Sequence, residues 1–317
     1  MRWLVVAGAL AWAGVLAAQT YPVKPVRMII PFPPGGGNDL AGRVVAASLT
    51  ERLGRQLIVD NRAGAGGVIG TELAANAAPD GYTLLLISLA HTVTPWLYDL
   101  KGRYHPIKSF APVAIIAASP IVLVVHPGVP AQSVAELVAY ARKQPGKLQY
   151  ASAGVGSVTH LAGELFKITA RIDLLHVPFK GAGPATLDVM SGQTHLLFGG
   201  LLATVPHVRS GKLRALGVGS LKRNPVLPEV PAIADSVAGY ETVNWFGVLA
   251  PAATPLAVID RLHREVSAVQ NAPELQKQFD ADGATVLRMT PAAFGAYMIE
   301  DMNKWERVVK DGGIKAQ

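Results

Sequence analysis

From Val23 onward the chain alternates between two kinds of apolar pattern. Short runs rich in Val, Ile and Leu predict strands at 26–30, 57–60, 83–87, 121–125, 148–150, 174–177, 196–198, 213–218 and 245–249. Longer stretches with apolar residues every three or four positions predict helices at 40–53, 68–77, 134–142, 158–168, 184–190, 256–270 and 291–309. Gly54, Pro79-Asp80-Gly81 and Pro145-Gly146 punctuate them. Strand–helix alternation of this kind predicts an α/β protein with parallel sheets. Its order predicts two α/β blocks. The 119–125 stretch leaves the first block and the 243–249 stretch returns to it, with a Pro- and Ala-rich connection at 224–239 between them. Lobe I is then 19–120 with 241–317, lobe II is 121–240, and the two crossings are hinge strands.

The 317 residues are enough for two domains, each with a core of its own. Half the chain is apolar and 16% is charged, which excludes a disordered protein. The net charge of +7 comes from scattered residues such as Arg43, Arg52, Lys101 and Lys212. No basic stripe interleaves with aromatics, so nucleic acid is not an expected partner. The absence of cysteine removes disulfides, thiolate chemistry and Cys-based metal sites. At the N-terminus Arg2 precedes an apolar stretch from Trp3 to Leu16 and the small residues Ala17-Ala18. That is the pattern of a cleavable secretory signal at 1–18, too short to span a bilayer. It places the mature protein in the periplasm.

Three strand-to-helix junctions are rich in glycine: 31–39 (PFPPGGGND), 61–67 (NRAGAGG) and 151–160 (ASAGVGSVTH). Glycine lets backbone approach a ligand closely, and a following helix aims free N–H groups and its positive dipole end at the same point. In open α/β sheets such junctions gather at the carboxyl ends of the strands, where ligands bind. An anion held by backbone is the expected ligand. Asn38, Asp39, Ser157 and Thr159 also read as helix N-caps. No dinucleotide or phosphate-loop spacing occurs, no G-x-S-x-G elbow supports Ser152 or Ser157 as a nucleophile with His160, and no H-E-x-x-H is present. Neither catalytic residues, nor a metal, nor a cofactor are expected.

The same loops carry a family resemblance. Pro31-Phe32-Pro33-Pro34-Gly35-Gly36 with Asp39, Asn61 to Gly67, Pro79-Asp80-Gly81-Tyr82-Thr83-Leu84, Ser152 to Ser157 with His160-Leu161, His176-Val177-Pro178-Phe179-Lys180-Gly181, Gly211 to Leu216, and Trp245 followed by Ala250-Pro251 and Thr254-Pro255 stand in order along the mature chain. This set resembles the Bug-type substrate-binding proteins of tripartite tricarboxylate transporters. The resemblance implies a two-lobe Venus-flytrap periplasmic binding protein fold with hinge strands, closing on a small organic carboxylate without chemistry. By position it implies a site lined by Phe32, Gly36, Ala65, Gly66, Ser88, Ala90, Ser152, Gly156, Ser157, Thr159, His160, Phe179 and Trp245. Its departures bear on ligand choice: Phe179 stands where tyrosine is usual, His91 and Trp96 lie in an atypical 89–98 segment, and 231–235 lacks the usual Thr and Glu. A monomer is expected, serving transporter membrane subunits. A binding protein that feeds a membrane sensor kinase remains open beside it, and a periplasmic hydrolase stands third.

Overall fold

The computed structural model describes residues 21–35, 37–281 and 283–315; the expected signal at 1–18 lies outside them. In chain order the elements are β1 (Val26–Ile30), α1 (Gly37–Leu53), β2 (Leu57–Asn61), α2 (Val68–Ala75), β3 (Thr83–Ser88), α3 (Ala90–Leu97), β4 (Phe110–Val125), α4 (Val134–Lys143), β5 (Gln149–Ser152), α5 (Val158–Ala170), β6 (Leu175–Pro178), α6 (Ala182–Met190), β7 (Leu196–Gly200), α7 (Leu201–Arg209), β8 (Arg214–Val218), β9 (Val243–Pro251), α8 (Leu256–Gln270), α9 (Pro273–Ala281), β10 (Thr285–Val286) and α10 (Pro291–Asp311). Local chemistry explains several boundaries. Ser133 caps α4 by accepting the Glu136 N–H at 3.2 Å, while the Glu136 carboxylate accepts the Gln132 N–H at 2.8 Å, a reciprocal cap. Thr290 caps α10 ahead of Pro291, whose fixed φ suits a first helical position.

The strands run in the order β2-β1-β3-β9-β4-β7-β5-β6, with β8 and β10 also on β4. In the first half β1, β2 and β3 are parallel, and β9 is antiparallel to both β3 and β4. In the second half β5, β6 and β7 are parallel, and β7 is antiparallel to the end of β4. Strand β4 belongs to both halves: Phe110 to Pro120 pairs with β9, Ile121 to Val125 pairs with β7, and Val122 to Val125 pairs with β8.

The pattern underestimates β4, predicted as 121–125 and observed with 16 residues. Pro112 and Pro120 interrupt the apolar run, yet Pro112 sits at a register shift and Pro120 where the first-half pairing stops. Helices α3, α7 and α9 and the two-residue β10 also go beyond the expectation. Pro95 and Pro206 lie inside α3 and α7 and mask their periodicity.

One buried cluster runs through both halves, from Ile29 and Leu85 across Ile121 and Tyr150 to Trp245 and Trp305. Separate clusters back each half on the other side. Helix α10 packs on α3 and β4 of the first half and on α5 of the second, so both halves share its apolar face.

Candidate ligand cleft

Strand direction brings the glycine loops together. The C-terminal ends of β1, β2 and β3 lie at one edge of the first half, beside Phe246 and the start of β9. The register of β9 on β4 puts that edge next to Ser119 and Pro120, where β4 crosses over. On the far side of the crossing, Ile121 pairs with Gly200 at the C-terminal end of β7, and β5 and β6 run parallel to β7. The loops after β1, β2 and β3 therefore face the loops after β5, β6 and β7 across one crevice. The halves touch there: a methyl group on Gly156 would lie 2.6 Å from Leu97 Cδ1, so the α3 leucine packs directly over that glycine.

The first two loops are tied to each other. Asp39, 3% exposed, accepts from the Gly35 N–H at 2.9 Å, Arg43 Nε at 2.9 Å and Asn61 Nδ2 at 2.9 Å, and Asn61 Nδ2 also donates to the Phe32 carbonyl at 3.0 Å. Burial opposes ionisation of Asp39, but these donors outweigh it and hold its carboxyl below the usual range. In the second loop Ala65, Gly66 and Gly67 have φ of 46°, 63° and 99°. Ala65 is a non-glycine residue in left-handed space, a strain of about 1–2 kcal/mol. Such a turn aims successive N–H groups into one concavity, and the Ala65 and Gly66 amides have no partner among the described residues.

The third loop largely satisfies itself. Ser152 Oγ accepts the Gly154 N–H at 3.1 Å, Thr159 Oγ1 accepts the Ala153 N–H at 2.8 Å, and Ser157 Oγ caps α5 through the His160 N–H at 3.3 Å while donating to the Gly154 carbonyl at 2.6 Å. The Gly156 N–H donates to His160 Nδ1 at 3.1 Å, which places the ring hydrogen of His160 on Nε2, 4.0 Å from Glu164 Oε1. Among the described residues, the Val155, Val158 and Thr159 amides keep no acceptor, the last two at the α5 N-terminus. Beneath the loop lies a polar layer that the sequence reading left out. His176 stacks on His160 with ring centroids 4.0 Å apart, and its Nε2 is 2.6 Å from Ser152 Oγ. Tyr150 donates to Glu164, which Lys167 also holds at 3.0 Å. Burial lowers the pKa of both histidines to about 4, helped by the Lys167 charge at His160 and by His160 at His176. His176 stood in a recognised motif, but only the fold shows that it lies against His160.

Of the other expected site residues, Ser88 ends β3 and Ala90 begins α3, both buried at the first-half edge. Phe32 is half-buried on the first loop. Phe179 is half-buried after β6, its N–H on the Ser152 carbonyl at 2.9 Å and its ring against the second-half cluster. Gly36 lies outside the described residues. Trp245 is not a lining residue here. It is 0% exposed, donates its indole N–H to Asp301 at 3.1 Å and packs edge-on against Phe294 and Tyr297. His91 is buried too, with Nε2 on the Pro106 carbonyl at 2.9 Å, and serves the packing of α3. Leu97 and Tyr98 were missed, since α3 itself was not expected.

The family model described as tripartite tricarboxylate transporter family receptor matches residues 41–314. The chain belongs to that family. Protein BugT of Bordetella pertussis is 36% identical over 320 residues, 99% of this chain and 98% of its own length. Among solved structures, the periplasmic binding protein BugD superposes with a TM-score of 0.83 at 35% identity, covering 94% of this chain and 100% of BugD. Rpa4515 of R. palustris, solved with adipate, gives a TM-score of 0.85 at 34% identity, covering 94% and 100%. The two-lobe fold implied by the resemblance is thus the fold of the family. No described helix is long and apolar enough to cross a membrane.

Proposed function

We propose that this chain is a periplasmic receptor that closes two lobes, 19–120 with 241–317 and 121–240, on a small organic carboxylate and delivers it to the membrane subunits of a tripartite tricarboxylate-type transporter. Residues 1–18 direct its export. The observation that carries the reading is the pair of amide clusters, Ala65 and Gly66 on one side and Val155, Val158 and Thr159 on the other, facing one crevice with no protein acceptor among the described residues. Unsatisfied N–H groups at a helix N-terminus favour an anion, each terminus contributing about 0.3–1 kcal/mol, and each charge-assisted hydrogen bond about 1.5–3 kcal/mol. The adipate bound by the relative at 34% identity supports a carboxylate as that anion.

The side chains do not favour a hydrolase. Ser152, which meets His176 at 2.6 Å, is 1% exposed, and Ser157 Oγ is turned to the Gly154 carbonyl. A nucleophile needs access to substrate and a base aimed at its proton. A thermal-shift screen of carboxylic acids on the mature protein tests the proposal. A bound acid should raise stability by about 2.7 kcal/mol at a hundredfold excess over Kd and be recovered unchanged. A ligand recovered in altered form would replace the receptor with an enzyme.

A further inference from the structure

We propose that the carboxylate this receptor takes has an apolar body, and that Leu97 sets the preference; the inference rests on the receptor reading above and deepens it. Helix α3 ends at the crevice with two consecutive side chains that reach opposite halves. Leu97 lies over Gly156 of the third loop, and the Tyr98 ring lies over Gly66 of the second, where an added methyl group would stand 2.6 Å from Cε2. Both side chains are half-buried, Leu97 with one side packed on the core cluster and the rest turned to the crevice. The α3 end thus forms a wall between the two amide clusters. A ligand anchored on either cluster must lay its body along that wall.

On the Leu97 side of the wall the polar side chains are already engaged, while the Tyr98 hydroxyl, on the Gly66 side, has no partner among the described residues. The hydroxyls of Ser152, Ser157 and Thr159 hold their own loop together. The guanidinium of Arg43 is on Asp39 and that of Arg62 is on Asp60, at 2.9 Å each. On the Leu97 side, donors for the ligand are therefore backbone amides, which suit a terminal carboxylate held end-on. A hydroxyl or a further carboxylate part-way along the ligand would leave water and meet the Leu97 methyl groups instead, and a buried polar group without a partner is strongly penalised. A hydrocarbon body loses nothing there and gains contact. The polar, branched acids are selected against by what faces them rather than by a missing anchor.

The experiment is isothermal titration of the mature protein with hexanoate, adipate, L-malate and citrate, repeated on Leu97→Asn. Leu97 is half-buried in the last turn of its helix, so a thermal melt checks that the substitution spares the fold; Leu97→Ala gives the same readout if it does not. Hexanoate or adipate should bind wild type roughly tenfold or more tighter than malate and citrate, as expected when one buried polar group goes unpaired. Leu97→Asn should close most of that gap, and Leu97→Ala should weaken hexanoate and adipate more than malate. Malate or citrate binding wild type as tightly as the apolar acids would overturn the inference, as would an unchanged ratio in the variant, and either leaves the receptor reading intact. Binding of none of the four acids would remove the carboxylate reading and the inference together.

Discussion

Replacing Gly156 by alanine separates the strain of the loop from the closing of the cleft. Gly156 has φ of +77°, and an alanine there costs about 1–2 kcal/mol whether the halves are open or shut. That cost should appear as a lower Tm, by at most roughly 2–8 °C, given about 2–4 °C per kcal/mol in chains of about 150–250 residues and less in longer ones. The second cost arises only when the halves meet. The new methyl group would stand 2.6 Å from Leu97 Cδ1, so the leucine must leave its rotamer at about 0.5–1.5 kcal/mol. Charged to the closed form alone, this weakens binding by roughly twofold to twelvefold. Calorimetric titration and thermal melts on wild type, Gly156→Ala, Leu97→Ala and the double variant form a cycle. Truncating Leu97 in the Gly156→Ala background should recover the part of the affinity lost to the clash, while the lowered Tm persists. Additive effects on Kd, with no coupling between the two positions, would show that Leu97 and Gly156 are apart in the bound form.

Three further outcomes follow from the structure. His160 is neutral in the fold with a pKa of about 4 against 6.5 when unfolded, so the unfolded chain takes up the extra proton and stability falls as pH drops from about 6.5 to 4, by on the order of 3 kcal/mol from this group. Urea melts should show a shallower slope for His160→Asn, which keeps an acceptor near the Gly156 N–H beside Glu164, Lys167, His176 and Tyr150; equal slopes would disprove the assignment. Asp301 accepts from the Trp245 and Trp305 indoles at 3.1 Å each and from Thr92 at 2.6 Å, so Asp301→Ala should cost about 2–6 kcal/mol through two orphaned indole N–H groups, while the exposed neighbour Glu300→Ala stays within about 0.5. Intact mass of exported protein should lack about 17 or 18 N-terminal residues, and a full-length species as the sole product would refute export by cleavage.

Much of this molecule is legible in its sequence because period and punctuation agree. β1 and α8 occupy the expected residues, and the three glycine loops fall at strand ends as anticipated. The crevice follows from strand direction alone once the pairing is known. Long-range pairing is what a linear pattern does not carry. Trp245 beside a crossing strand reads the same whether it faces a ligand or the core, and the acceptor that turns it inward, Asp301, is 56 residues away. The third loop reads as a row of free amides, yet Ser152, Ser157, Thr159 and His160 engage several of them. Helix α3 was hidden by Thr92, Val93, Thr94 and Pro95, residues that a helix tolerates here because Asp301 and α10 pack against it.

Strand β9 lies in the middle of the sheet, between β3 and β4, but it is built from Val243–Pro251. A ribosome making this chain finishes β3 and then the whole second half before β9 exists. During that interval, on the order of ten seconds at ordinary elongation rates, β3 and the first part of β4 have no strand to join them, and α8 and α10 are absent. Non-local closure of this kind is slow even for a complete chain. The strand order therefore acts as a timer: β1, β2 and β3 can pair with one another, but the β3 edge and the first part of β4 stay open while translation continues.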